Sequence, residues 1–547
     1  MEKLTISSLL RKSIEKYSEK HALSFAGEEG ISYFSLGIRI QNMSNTLDVS
    51  GIKHGDRVAI LGENMPNWGV AYLSIVCLGA VVVPILPDFH ENEVETILNH
   101  SDTKLIFASE KQVKRLKDLF PKLTIPVILL DNLTFQGNTQ SNINDALSGR
   151  FFPGTQDVVN ETDLASLIYT SGTTGSSKGV MLTHKNLAWM AIQTLTVQNV
   201  NETDRFLSIL PMSHTYENTL GFLLPLFTGA SVYYMRKHPT PSVLIEAMAI
   251  VKPTTLLTVP LIIEKIYSKQ ILPKFNSKAI TRMMFRFRPT RILLNRLAGK
   301  KIMKTFGGQV RFFGIGGAKL DPVIEKYLRE ARFPYAIGYG LTETSPLLAG
   351  GAPFNTPYQS TGKPVQGVQI RLHNQNRLTG EGEIQAKGAN VMSGYFKNPE
   401  LTSQVFTEDG WFKTGDLGYM DKGGTLFIRG RIKNIIVGTN GENIYPEEIE
   451  AILNRIEYVE ESLVVQEQGR IVALINLNLK DFEEKIVNLN ERAVKVANES
   501  IDELLNEAQN FVNQRVNKFS RIQMVRLQPV PFEKTPTNKI KRYLYGD

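Results

Sequence analysis

A single cysteine, Cys77, in a chain of 547 residues rules out an internal disulfide and leaves no thiolate set for a zinc site. That usage suits a reducing cytoplasm. An export signal is missing as well: "MEKLTISSLLRKSIEKYSEK" has no uninterrupted apolar core and reads as a short amphipathic helix. The two longest apolar stretches, residues 67–87 and 218–235, are both interrupted. The first passes from helical spacing to a β-branched run at Ala80 to Ile85, and the second is broken by Pro225 and Gly229. Each is expected to be a helix followed by a strand in a large core, with membrane spanning as the lesser alternative. Internal repeats and extended low-complexity segments are also lacking.

Acidic residues are absent from 265 to 320, where fourteen Lys and Arg gather although the whole chain is only +8. The remainder is therefore net acidic. At the centre of this run, "SKAITRMMFRFRPTRILLNRLAGKKIMK" interleaves cations with Met283, Phe287, Leu293 and other bulky apolar residues. Two readings fit: a peripheral element on the anionic inner face of a membrane, or a packed surface helix with solvated charges. Nucleic acid is not an expected partner, because no recognised binding motif accompanies the patch.

What is present points to a soluble α/β protein, with 42% hydrophobic and 21% charged residues and enough length for two to four folding units. From Leu4 to about Leu130, strand-like runs such as "DRVAIL" and "AVVVPI" alternate with helix-like ones such as "ENEVETILNH". That is the alternation of a mainly parallel, helix-covered sheet. It resumes at "TTLLTVP" and "VRFFGIGG". After about Thr361 the texture changes to short strands between Gly, Asn and Asp turns, and a smaller α/β piece with a helix-rich stretch follows Arg431. A boundary near 431–434 is expected.

"IYTSGTTGSSKGVMLTH" at 168–184 follows an apolar strand with glycines, hydroxyls and Lys178. Gly172, Gly175 and Gly179 let the backbone present N–H groups to an anion, and Thr170, Ser171, Thr173 and Thr174 add hydroxyl donors. It is a phosphate cradle in composition. It departs from the nucleotide-hydrolase loop, which needs a glycine just before the lysine and a hydroxyl just after it. A flexible Ser/Gly linker is the alternative, disfavoured by the apolar flanks.

Four further motifs are each ambiguous alone. "GYGLTETSP" sets Tyr339 three residues before Thr342-Glu343, an aromatic face for a base and a carboxylate for magnesium. "GWFKTGDLG" puts Asp416 between glycines, read as a tight turn whose carboxylate could hold both hydroxyls of a ribose. "GRIKNIIVGTNGENIYPEEIE" brings Arg431 and Lys433 to the boundary, before a helix start at Pro446. "EKTPTNKIKR" leaves Lys539 near the end of the chain, where a solvated tail is the default.

In this order the motifs resemble the adenylate-forming superfamily of acyl-CoA synthetases, aryl-CoA ligases, firefly luciferase and peptide-synthetase adenylation domains, from about Ala22 to Arg542. "PMSHTYENT", "FFGIGGAKL" and "NGENIYPEEIE" are similar to the long-chain fatty acyl-CoA synthetase branch. The resemblance implies a large N-terminal domain, residues 1–431, with mainly parallel helix-covered sheets plus a region of small distorted strands. A small mobile α/β domain, residues 432–547, would carry the catalytic lysine. Thr170 to Gly175 and Lys178 would hold the β- and γ-phosphates of ATP, while Gly316, Gly317 and Ala318 would line the adenine and the acyl tunnel. Tyr339 would lie on the base, with Asp416 and Arg431 on the ribose. Thr342 would touch the α-phosphate and Glu343 the magnesium ion. His214 would sit beside the substrate carboxylate and Lys539 would reach that carboxylate and the α-phosphate, with Lys433 as hinge.

The implied activity joins a fatty acid to coenzyme A through an acyl adenylate, with an acyl carrier protein as the alternative acceptor. A non-catalytic lipid or nucleotide sensor is a third reading, to which four retained chemical residues are unsuited. Three positions depart from the family pattern: Ser177, Asn434 and Asn538 stand where proline, an acid and glycine are usual.

Overall fold

The computed structural model describes residues 3–136, 159–171, 177–276, 279–438, 442–478, 493–535 and 539–546. Two large sheets dominate it. One has nine strands, running parallel from His21–Phe25 through Ser231–Tyr234, Arg205–Leu207, Thr255–Thr258 and Phe312–Ile315 to Tyr335–Gly340, with antiparallel strands at both ends. The other has eight and is parallel from Leu164–Ser171 through Val81–Ile85, Arg57–Leu61 and Thr103–Ala108 to Val127–Leu129.

Why residues 67–87 are apolar follows from this layout. Helix Pro66–Leu78 touches strands of both sheets and buries ten residues in a row, Trp68 to Cys77. A helix enclosed on all sides must be apolar all round. Trp68 stacks on Tyr72 with ring centroids 5.5 Å apart, and Phe222 meets both edge-on. Side chains of this size each contribute about 1.5–3 kcal/mol by leaving water. A Cβ on Gly69 would stand 2.9 Å from the Phe222 ring, so the close packing requires glycine there. Strand Val81–Ile85 follows, as the β-branched run predicts. Burial pushes the Cys77 thiol up to about 12, which makes it inert at neutral pH. Among the described residues no helix is long and apolar enough to cross a membrane.

The region of short strands forms a four-stranded antiparallel sheet, Gln369–His373, Gly382–Lys387, Phe412–Met420 and Leu426–Arg431. Beyond it, a three-stranded sheet packs with helices Pro446–Leu453 and Ala493–Asn513 around a separate core that includes Ile436, Leu453, Ile475 and Val512.

The interrupted stretch 218–235 holds a feature that periodicity did not disclose. Residues Glu217–Leu223 form a π-helix and continue into helix Leu224–Thr228 and strand Ser231–Tyr234. Glu217 is buried, and a Cβ on Gly221 would come within 2.7 Å of its carboxyl carbon. The Ser208 hydroxyl donates to Glu217 Oε1 at 2.6 Å, and burial pushes the acid up to about 8. Taken by itself, Glu217 therefore holds a proton in the folded chain that the unfolded chain has lost between the ordinary glutamate range and about pH 8, and its contribution to stability falls as pH climbs through that window. Glu217→Gln is expected to flatten this slope, worth on the order of a few kcal/mol from end to end. Urea midpoints at both ends of the window, measured for both proteins, check it.

Candidate active site

The strand ends and turns that face the small unit border a cleft of about 4210 Å³. Its floor is sharply specified. Asp416 lies in strand Phe412–Met420 opposite Arg431 of the neighbouring strand, not in the tight turn that its flanking glycines suggest. Gly415 adopts φ +69° beside a register shift, and this bulge rather than a turn is what the glycine serves. Tyr339, at the end of its parallel strand, donates its hydroxyl to Asp416 Oδ2 at 2.7 Å, and Arg431 Nε lies 2.8 Å from Oδ1. Each carboxylate oxygen can accept two bonds, so Asp416, which lines the cleft, keeps acceptor capacity beyond these two contacts. Burial pushes the Asp416 carboxyl above its ordinary value, with Arg431 opposing.

Thr342 and Glu343 occupy a 3₁₀ turn after that strand. The Tyr395 hydroxyl donates to Glu343 Oε1 at 2.9 Å, and the Tyr395 ring lies 5.3 Å from Lys178 Nζ. Strand Gly394–Tyr395 pairs with Ser177–Thr183, which places the tyrosine beside the lysine strand. Tyr395 was not among the sequence candidates. Its two-residue strand, more than 200 positions from its partner, has no periodic signal. Burial lowers the Lys178 ammonium while Glu343 opposes that shift.

Thr170 stands opposite Lys178 in an antiparallel pair, and both line the cleft. Ser171 ends the same strand, and Gly172, Thr173, Thr174 and Gly175 lie outside the described residues. Gly316, Gly317 and Ala318 follow strand Phe312–Ile315 at the cleft wall, where Gly317 takes φ +82° and a Cβ on Gly316 would stand 3.2 Å from the Tyr216 ring. Tyr216, a second residue missed in the sequence, thus shares that wall. Its backbone N–H donates to His214 Nδ1 at 3.2 Å, which leaves the proton on Nε2 as a donor for a ligand. Burial, reinforced by Lys539, pushes His214 down to about 4, so the ring is neutral at pH 7.

Asn64 fixes the approach to His214. Its amide donates to Ser208 Oγ and to the Leu210 carbonyl, and its Oδ1 accepts from Met212 N.

Lys539 and Lys433 also border the cleft, Lys433 within the 3₁₀ turn Ile432–Asn434. Although the Lys539 side chain is open to solvent in the cleft, the walls crowd it. Desolvation lowers its ammonium, Arg431 adds to that, and Asp416 and Glu343 oppose. The small unit is tied across the cleft by Arg455 Nε to Asp321 at 2.6 Å and by Lys319 Nζ to Glu448 at 3.0 Å.

One wall therefore offers a carboxylate with spare acceptor positions, and another offers a carboxylate beside a cation and a neutral imidazole. A lysine closes the space between them. Among the described residues no three acids, histidines or cysteines cluster as a metal cage. A single carboxylate beside phosphate oxygens suits magnesium, which keeps most of its shell as water and substrate.

Comparisons with known proteins bear on the family and the fold. Residues 10–396 match the model of the family described as AMP-binding enzyme. The chain is 30% identical to a long-chain-fatty-acid–CoA ligase, FadD15, of Mycobacterium bovis, covering 91% of this chain and 87% of that protein. It is 27% identical to a chloroplastic long-chain-fatty-acid–[acyl-carrier-protein] ligase, AEE15, of Arabidopsis thaliana, over 98% and 84%. In fold it resembles the ATP-bound MatB of Rhodopseudomonas palustris, with a TM-score of 0.76 at 24% identity, covering 99% of this chain and 98% of that one. With more than two thirds of its length matched by the family model, the chain belongs to the AMP-binding enzyme family.

Proposed function

We propose that the protein is an AMP-forming long-chain fatty acid:CoA ligase. The observation that carries this reading is the gathering of Tyr339, Asp416, Arg431, Glu343, His214 and Lys539 around one cleft. Asp416, already oriented by Tyr339 and Arg431, presents its open acceptor positions to the ribose hydroxyls. Thr170, Lys178 and the glycine-rich residues after Ser171 take the departing pyrophosphate. The Tyr339 face and the Gly316–Gly317 backbone border the adenine. Glu343 would hold a magnesium ion, which offsets phosphate charge when bound.

The fatty carboxylate oxygen attacks the α-phosphorus and the bond to pyrophosphate breaks, leaving an acyl adenylate. His214 Nε2–H and the Lys539 ammonium offset the negative charge on the two anions as they meet, a role that fixed donors in a crowded cleft fill well. A thiolate, formed as the thiol loses its proton, then attacks the acyl carbon and AMP leaves. Lys539 withdraws for that step by a turn of residues 432–547 about Lys433, which makes room for the thiol.

Tyr395→Phe removes the hydroxyl that orients Glu343, and about tenfold more magnesium is expected for half-maximal pyrophosphate release. A magnesium titration of both proteins measures this.

The test of the whole reading is pyrophosphate release across carboxylic acids from short to long chain, followed by the choice of acceptor. Release of inorganic phosphate, or no release with any fatty acid, overturns it. The likeness to the plant acyl-carrier-protein ligase favours a second reading, in which the adenylate passes to a carrier-bound phosphopantetheine. Consumption of the adenylate by loaded carrier protein and not by free CoA selects that reading.

A further inference from the structure

Helices Ala279–Arg286 and Arg288–Thr305 have an inward and an outward face of different character. The inward face of the longer helix is anchored. Arg291 forms a 2.8 Å ion pair with Glu330, Asn295 donates to the same carboxylate, and Gly299 lets the helix press on Ala331, where a Cβ would stand 2.8 Å away. The outward face has no such covering. Ile280, Met283, Phe287, Leu293 and Leu297 are 54–70% exposed, far more than scattered surface residues account for. Arg296, Lys300, Lys301 and Lys304 continue the stripe that Leu293 and Leu297 begin, at the three- and four-residue spacing of one helix face, and all four are exposed. No acidic residue occurs between 265 and 320 to balance them.

We infer that this outward face docks on an anionic lipid bilayer. The apolar side chains enter the boundary between headgroups and acyl chains, and the arginines and lysines lie at the level of the lipid phosphates. Large apolar side chains standing free among cations match a bilayer better than an acidic protein, because a bilayer takes up such side chains without a shaped pocket for each.

The shorter helix, Ala279–Arg286, links the surface to the cleft. Phe285, between the exposed Met283 and Phe287, stacks on Phe275 with centroids 5.0 Å apart and lines an arm of the cleft with Leu261, Tyr267 and Leu272. The bilayer-facing side and the cleft are thus separated by one helix, about 10 Å thick. An acid dissolved in the bilayer reaches the cleft without crossing bulk water. This delivery rests on the fatty acid ligase reading, whereas the docking does not.

The test is co-sedimentation of the full chain with vesicles of phosphatidylcholine alone or with about 30% phosphatidylglycerol, at salt from about 0.05 to 0.5 M. Binding is expected on the anionic vesicles only, falling about tenfold or more across that salt range. The pairs Met283→Glu with Phe287→Glu, and Lys300→Glu with Lys304→Glu, are each expected to weaken it about tenfold or more. Circular dichroism and pyrophosphate release with water-soluble octanoate should stay native in both. Unchanged sedimentation of both double variants overturns the docking, as does equal, salt-independent binding to neutral vesicles. Capture of this face by an acidic carrier protein that vesicles cannot displace overturns it too. In a separate arm, long-chain acid supplied in vesicles should be activated more slowly by the double variants than by the native chain, and acid supplied on albumin equally fast. Should no acid be activated from either source while sedimentation follows the expected pattern, the ligase reading fails and the docking stands.

Discussion

Lys539→Ala is expected to lower adenylate formation by about 10²–10³-fold while ATP still binds, a loss typical of removing one charge-stabilising donor. The split follows from where the lysine acts. Asp416, Tyr339, Arg431 and Lys178 belong to the large unit and do not depend on it for their mutual contacts. Lys539 comes from the other side, where its backbone N–H donates to Thr535 Oγ1 and its carbonyl accepts from Thr535 N. Its desolvated ammonium is placed to meet charge that develops during reaction rather than charge already present on ATP. Pyrophosphate exchange measures the chemical step and calorimetric titration the binding. Undiminished exchange in the variant removes Lys539 from the mechanism.

Asp416→Ala should show the reverse pattern, with ATP affinity falling about 100-fold and a smaller change in the rate at saturation. The substitution leaves the Tyr339 hydroxyl and the Arg431 guanidinium without their common acceptor, and hydrogen bonds to charged groups contribute about 1.5–3 kcal/mol each. It also leaves Arg431 and Lys539 without an acid that now moderates both. A double-mutant cycle with Arg431→Ala is expected to be strongly non-additive, since both substitutions disable one pair. Titration calorimetry on the three variants decides the matter. Additive losses indicate that Asp416 and Arg431 hold ATP independently.

Much of the large unit was legible because its pattern is local. The β-branched run after Pro66–Leu78 and the helical spacing of Glu91–His100 each fix an element without reference to distant residues. Topology was less accessible. Strand His21–Phe25 precedes Arg57–Leu61 in the chain, yet pairs with Ser231–Tyr234 in the other sheet, a choice made by packing across the core rather than by the strand's own residues. At the site, glycines on both sides of Asp416 have the composition of a turn, but pairing with Leu426–Arg431 extends the strand through them. Tyr395 and Tyr216 escaped notice because what they contribute is a contact: one orients Glu343, and the other donates its backbone N–H to His214.

The ion pairs Lys319–Glu448 and Arg455–Asp321 across the cleft bear on how the enzyme would cycle. Lys319–Glu448 is roughly half-exposed, and pairs of that kind contribute about 0–1 kcal/mol; Arg455–Asp321 is better sheltered but single. Against them stands the desolvation that Lys539 suffers over the site. Ties of this modest strength suit a reversible latch. In the proposed cycle, neither position of the small unit would need to be driven by the chemistry, and loss of the pyrophosphate's charge from the cleft would be enough to release Lys539.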